Sequence, residues 1–298
     1  MMNGRVLSLE KNIRRAPLAL RFIDLLLEKP IGDGLEVQAW PLVNQQIPRY
    51  ALPVTASRSL QSGIYGFNSL EGLRDYEMDR RPHTDFCPDD TAPFNYVITV
   101  RDRLGRYQPV TLAYCLPKTQ VVEVRLLPTV NRLMPDTFGV VRVELWDSPF
   151  NRPAADALVQ VSLNANNYIG LADSRGMAAV FVEYPPLPKS EVDADDHPIP
   201  ITWAVKLQVF YRPPDPALPK DPGEYIQIPG QATEARLYSS ILQQMTVAPA
   251  VLLKASPPED EATELDMNLQ YRVDLIVKTL GNDSAGQPFS RLELRPAP

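Results

Sequence analysis

Three runs between Val140 and Tyr184 constrain this chain more than any other feature of it. Val141, Val143 and Leu145 alternate with Arg142 and Glu144, and Val159, Val161 and Leu163 alternate with Gln160 and Ser162. A period of two marks a strand with one face in a core and the other in water. The third run spans Met177–Tyr184. Asp147-Ser148-Pro149 and Asn151-Arg152-Pro153 break the first run, and Asp173-Ser174-Arg175-Gly176 predicts a tight turn before the third. The stretch therefore reads as strand, hairpin loop, strand, turn, strand, a unit of an antiparallel sandwich. Trp146, Val161 and Val180, each inside an apolar run, are expected in the core.

The same unit recurs upstream. Placing Asp24 on Asp147 puts Lys29-Pro30 on Arg152-Pro153, Asp33 on Asp156 and Leu35 on Leu158. A gap then sets Ser62-Gly63-Ile64-Tyr65-Gly66-Phe67 opposite Arg175-Gly176-Met177 and the run to Val180. The repeated residues are turn formers whose spacing sets hairpin geometry, so they predict an internal duplication.

A chain of 298 residues has room for two domains. The expected division is an N-terminal arm over 1–15, a first sandwich over 16–132 and a second over 133–298, with the boundary near Pro128–Pro135. The 31 prolines are about twice the usual share. With recurring apolar runs they indicate short strands and stiff connections. Further strands are expected at Leu35–Trp40, Gly63–Phe67, Asn95–Arg101, Tyr107–Tyr114, Val121–Leu127, Ile201–Tyr211, Val251–Leu253, Tyr271–Lys278 and Phe289–Leu294. Leu237, Tyr238, Ile241, Leu242 and Met245 recur at helical spacing and predict one helix over Gln231–Met245. The fold class that follows is all-β: two antiparallel sandwiches with long loops and one short helix in the second.

A net charge of −6 lacks the basic stripe of a nucleic-acid binder. No apolar run approaches the roughly 20 residues that cross a bilayer, and the charged N-terminus has no secretory signal core. The two cysteines, Cys87 and Cys115, make no disulfide framework and are expected as reduced structural thiols in a cytoplasmic protein.

No catalytic, cofactor or metal residue is assigned. His83 and His197 lie in polar loops, and His83 with Cys87 has prolines on both sides that argue against a shared helix. Glu191, Asp193, Asp195 and Asp196 lack the glycine and terminal glutamate of an EF-hand loop, so a solvated acidic loop is the reading there. There is no G-x-S-x-G elbow and no glycine-rich phosphate loop. Trp40, Trp146 and Trp203 sit in strand patterns, where core packing accounts for them. Pro185–Pro200 and Arg212–Gly223 are stiff extended segments suited to docking, and the N-terminal arm suits pairing with a neighbour's sheet.

Arg142-Val143-Glu144-Leu145-Trp146-Asp147, Arg152-Pro153-Ala154 and Gly170-Leu171-Ala172-Asp173 with Gly176 resemble the carboxypeptidase-regulatory-like, transthyretin-like immunoglobulin fold. More narrowly, the chain resembles proteins of phage-tail-like contractile injection systems. Arg21-Phe22-Ile23-Asp24, Gly72-Leu73-Arg74-Asp75-Tyr76-Glu77 and Asp102-Arg103-Leu104-Gly105-Arg106-Tyr107 agree with it, so the resemblance covers about residues 18–184. It implies a non-enzymatic structural subunit near the baseplate, present in several copies and bound to baseplate, tube or sheath proteins. The alternative is a stand-alone binding module for a protein or carbohydrate; an enzyme with its site in the loops ranks third.

Overall fold

A computed structural model describes residues 15–78, 94–187, 200–213, 224–254, 261–281, 287–288 and 290–296. Residues 1–14, His83, Cys87, the acids from Glu191 to Asp196, His197 and most of both proline-rich segments lie outside the described residues. Strand accounts for 46% of the described residues and helix for 6%, which places the chain in the all-β class.

In the first unit β1 (Ala19–Asp24) turns into the two-residue β2 (Lys29–Pro30) and crosses to β3 (Leu35–Pro41). Two short strands, β4 (Val54–Thr55) and β5 (Ser57–Arg58), lead to β6 (Tyr65–Gly66) and one helical turn, α1 (Arg74–Glu77). β7 (Tyr96–Asp102), β8 (Val110–Tyr114) and β9 (Val121–Leu126) complete the unit. One sheet has the order β2-β1-β6-β5, with β9 also on β1; the facing sheet is β4-β3-β7-β8.

The second unit repeats this plan with β10 (Phe138–Asp147), β11 (Arg152–Pro153), β12 (Leu158–Leu163), β13 (Asn166–Leu171), β14 (Met177–Glu183) and β15 (Thr202–Phe210). An insertion follows: β16 (Tyr225–Ile226), β17 (Ala235–Arg236), α2 (Tyr238–Gln243), a 3-10 turn at Gln244–Thr246, β18 (Val251–Leu253) and β19 (Glu261–Ala262). β20 (Leu265–Gln270), β21 (Leu275–Val277) and β22 (Leu292–Arg295) close the unit. Its sheet β13-β12-β15-β20 matches β4-β3-β7-β8 strand for strand.

The duplication extends to register. Ile23 faces Pro30 and Asp24 faces Lys29, as Trp146 faces Pro153 and Asp147 faces Arg152. Ile31 N–H donates to Phe22 O, and Ala154 N–H donates to Leu145 O, in the same place. Glu28 and Asn151 hold the same left-handed turn position, at φ 50° and 48°. Tyr65 stands opposite Leu20, and Ala178 opposite Val143, as the gapped match requires.

Each sandwich is closed by a parallel pairing among otherwise antiparallel strands: β1 with β9, and β10 with β21 and β22. Sequence alternation carries no direction and so does not predict this pairing. The first core gathers Leu20, Phe22, Phe67, Ile98 and Leu126, and the second Val143, Leu145, Val161, Val180 and Leu292. Trp146 is not in that core: the alternation that buries Leu145 turns the indole to the opposite face, where Arg291 stacks on it at 3.6 Å. β14 is covered on both faces, because Phe181 and Ala179 pack under Val130 of the connection. That connection is itself fastened, since Arg132 ion-pairs with the buried Asp24.

Three elements differ from expectation. β13 occupies a stretch for which no strand is expected, between Leu163 and the Asp173–Gly176 turn; its Gly170 lets it cross β14 where a Cβ would meet Ala179 O at 2.4 Å. Tyr271–Lys278 is not one strand: Tyr184 Oη accepts from Arg272 N–H (2.9 Å) and fixes a turn between β20 and β21. The predicted helix begins only at Tyr238, because Ala235 and Arg236 pair with Ile226 and Tyr225 instead.

Candidate functional site

The insertion after β15 works as a clamp between the units. Ile226, Ile228 and Leu237 pack on Trp40, Leu42 and Val97 of the first sandwich, while Tyr238 and Ile241 enter its main core. Leu237 forms a bridge to Thr111, and the Tyr238 hydroxyl donates to Arg125 O at 2.8 Å. On the other side Gln244 Nε2 donates to Asp156 O (2.8 Å), and Gln244 Oε1 accepts from Arg212 N–H (2.8 Å). Leu158, Leu171 and Phe210 of the second unit also lie in the first core. Burying apolar area from both units fixes their relative orientation.

A cleft of ≈ 1250 Å³ remains beside the clamp. It is lined by Glu36 and Gln38 of β3, Thr99 and Arg101 of β7, Asp156, and Thr233–Arg236. Arg236 has a side chain only 3% exposed, ion-paired with Glu224, and donates to Arg212 O (3.3 Å). Its Nε has no partner. Asp156 sits at φ 61° after Ala154-Ala155, and its backbone N–H donates to Ala172 O. Burial raises its carboxyl above the usual range, opposed only by the charge of Arg236.

Two buried carboxylates have structural roles. Asp24 accepts from Tyr107 Oη (2.9 Å), Leu26 N–H (3.0 Å) and Arg132; burial opposes its charge, yet Arg132 and Tyr107 hold its pKa below the ordinary value. Burial and the bond to Asp24 push Tyr107 up to about 12. Asp147 accepts from Tyr211 Oη (2.9 Å) and lies beside Arg152 (3.5 Å). Among the described residues the side-chain partners of each are a tyrosine and an arginine, with no second acid among them.

A second surface lies along residues 43–60. Among the described residues β4 pairs only with β3, and β5 only with β6, so each leaves a strand edge that no described strand pairs with. Tyr50, Leu52 and Leu60 are 85%, 82% and 86% exposed along the same stretch. Asn44 and Gln45 are both left-handed between the bridged Val43 and Gln46, as in a two-residue hairpin turn. A hollow of ≈ 560 Å³ separates this loop from β16.

Among the described residues no group of three metal-ligating side chains converges. Cys115 is disulfide-bonded, which corrects the expectation of reduced thiols; the chain's other cysteine, Cys87, lies outside the described residues. Among the described residues no helix is long and apolar enough to cross a membrane. Trp40 is buried against the clamp as expected, and Trp203 is half-buried against Tyr184 at 5.0 Å. Sequence reading missed Asp156 and Arg236, whose one available signal was the offset that sets Asp156 on Asp33.

No protein-family model matches the chain, and no curated protein matches it. Among solved structures it is similar to a streptococcal ancillary pilin (9% identity, TM-score 0.21), covering 95% of this chain and 63% of that one. It is also similar to a putative adhesin from Bacteroides ovatus (10% identity, TM-score 0.21; 66% and 72% covered). A third likeness is to a C-terminal fragment of the pilus adhesin SpaC from Lactobacillus rhamnosus GG (10% identity, TM-score 0.19; 94% and 96% covered). With TM-scores near 0.2, these likenesses carry no inference about this chain.

Proposed function

We propose that this chain is a structural, protein-binding subunit that acts by docking neighbours and carries out no reaction. The observation that carries this reading is the margin over residues 43–60. There two strand edges that no described strand pairs with, and the exposed Tyr50, Leu52 and Leu60, adjoin on a body whose two sandwiches are locked together. Free edges accept a partner's strand by backbone pairing, and exposed aromatic and aliphatic side chains supply contact area. A rigid body loses little further entropy on assembly.

The sequence resemblance supports a finer reading, a baseplate-associated subunit of a phage-tail-like contractile injection system present in several copies. Division of the chain at 132/133 accords with the repeated strand order. A disulfide at Cys115 suits a particle that meets oxidising conditions. The cleft favours a second reading, a stand-alone binding module.

The test is a Tyr50→Asp, Leu60→Asp double variant expressed with its native gene neighbours. The proposal expects normal folding and loss of co-purification with the particle. Full incorporation of the double variant into intact particles would overturn it.

A further inference from the structure

The two repeats treat one carboxylate position differently. Asp33 of the first unit, set on Asp156 by the duplication, is served by Arg106: Nη1 donates to Asp33 Oδ1 (3.2 Å) and Nη2 to Asp33 O (2.7 Å). Arg106 is held there by Asp102, through Nε to Oδ2 at 3.0 Å. In the second unit the register puts Phe210 opposite Leu158 where Asp102 stands opposite Leu35, so the carboxylate that would orient such an arginine is missing. Gln244 Nε2 takes over the backbone half of the arrangement by donating to Asp156 O. Nothing takes over the other half. Among the described residues the Asp156 carboxylate accepts no hydrogen bond, although it lines the cleft.

The neighbouring cation does not fill the gap. Arg236 gives its terminal nitrogens to Glu224 and to Arg212 O, and its buried Nε stays unpartnered. Arg236 thus faces two carboxylates, Glu224 and Asp156, and gives its ion pair to Glu224, so Asp156 is left with its charge alone and no hydrogen bond from it. A desolvated carboxylate without a donor is costly, and the cost is removed by a charged N–H donor from outside.

We propose that the cleft receives the guanidinium of an arginine side chain presented by a partner protein, with Asp156 as its acceptor. The incoming group restores in the second unit the contact that Arg106 makes in the first. Arginine fits better than lysine because a planar fork can bond the carboxylate through two nitrogens and leave others for polar lining such as Gln38 and Thr99. The raised carboxyl pKa of Asp156 is the expected condition of the unoccupied site. This proposal rests on the cleft alone, so it can fail while docking through residues 43–60 stands, and the reverse.

The test is an NMR titration of the full-length protein with capped Gly-Arg-Gly, Gly-Lys-Gly and Gly-citrulline-Gly tripeptides. Citrulline keeps the shape of arginine and removes its charge. The expected result is saturable shifts at Asp156, Thr233 and Arg236 with the arginine peptide, and binding at least about tenfold weaker for citrulline. Asp156→Asn should reduce the arginine response to the citrulline level, while Asp33→Asn leaves it unchanged. Asp156→Gly, which also suits the left-handed backbone, should act as Asp156→Asn does if the asparagine variant folds poorly. Equal responses to arginine and citrulline, no saturable shift, or indifference to both Asp156 variants would overturn the site. Equal binding of the lysine peptide would overturn the assignment to a guanidinium.

Discussion

Tyr211 donates its hydroxyl hydrogen to Asp147 Oδ2 at 2.9 Å, and both side chains are buried at the end of the second sandwich. Tyr107 does the same for Asp24 in the first, also at 2.9 Å. Each unit therefore ends its first strand on a buried carboxylate tied to a tyrosine. The two differ in support. Asp24 also receives Arg132, whereas Asp147 is fully buried, has Arg152 at only 3.5 Å and leaves Oδ1 without a partner. Tyr211→Phe should destabilise the protein by about 1.5–3 kcal/mol, the usual loss of a hydrogen bond to a charged group, measured by urea unfolding. An unchanged midpoint would show that water replaces the tyrosine.

Asp24 makes stability depend on acid. Its folded pKa lies below the unfolded value near 3.9, so its contribution is present above that pH and disappears as pH falls through the lower folded value. Asp24→Asn should cost about 3–5 kcal/mol at pH 7, because Arg132 is left buried without its partner. The gap between variant and parent should shrink steadily below pH 4. A gap of constant size from pH 7 to pH 2 would exclude the ion pair as its source.

Two glycines at matched turn positions should respond differently to alanine. Both have positive φ, 67° at Gly63 and 78° at Gly176, which costs an alanine about 1–2 kcal/mol. A Cβ at Gly63 meets nothing within 4 Å, while one at Gly176 lies 2.3 Å from Leu145 O. Gly176→Ala should therefore lose at least about 1–3 kcal/mol more than Gly63→Ala, read as a difference in thermal midpoint.

Leu145 and Trp146 are neighbours on opposite faces of β10. Leu145→Ala should cost about 2–5 kcal/mol as a buried core truncation. Trp146→Ala, losing mainly the stacked Arg291, should cost clearly less despite removing the larger side chain. The reverse order in denaturant would mean that the strand faces are assigned the wrong way round.

Alternation and turn chemistry determined, from the sequence alone, the all-β class, the position of β12, the Asp173–Gly176 turn and the duplication. Each of these is local: side chains alternate along any strand, and Asp, Asn, Pro and Gly act on their own backbone within a few residues. Only the tertiary structure decided the rest. β13 opens on Asn166-Asn167 and contains Gly170, poor strand formers in isolation that become favourable where β14 passes close by. The helix shrank because pairing between residues nine and eleven apart outweighed a periodic stripe. Asp33 and Asp156 read alike in sequence, since both are acids in a turn before a strand. What separates them is whether an arginine from a distant strand end arrives, and that depends on Phe210 standing in the register position of Asp102. Contacts across such distances in the chain leave no periodic mark, because no short-range rule of backbone or turn geometry requires them.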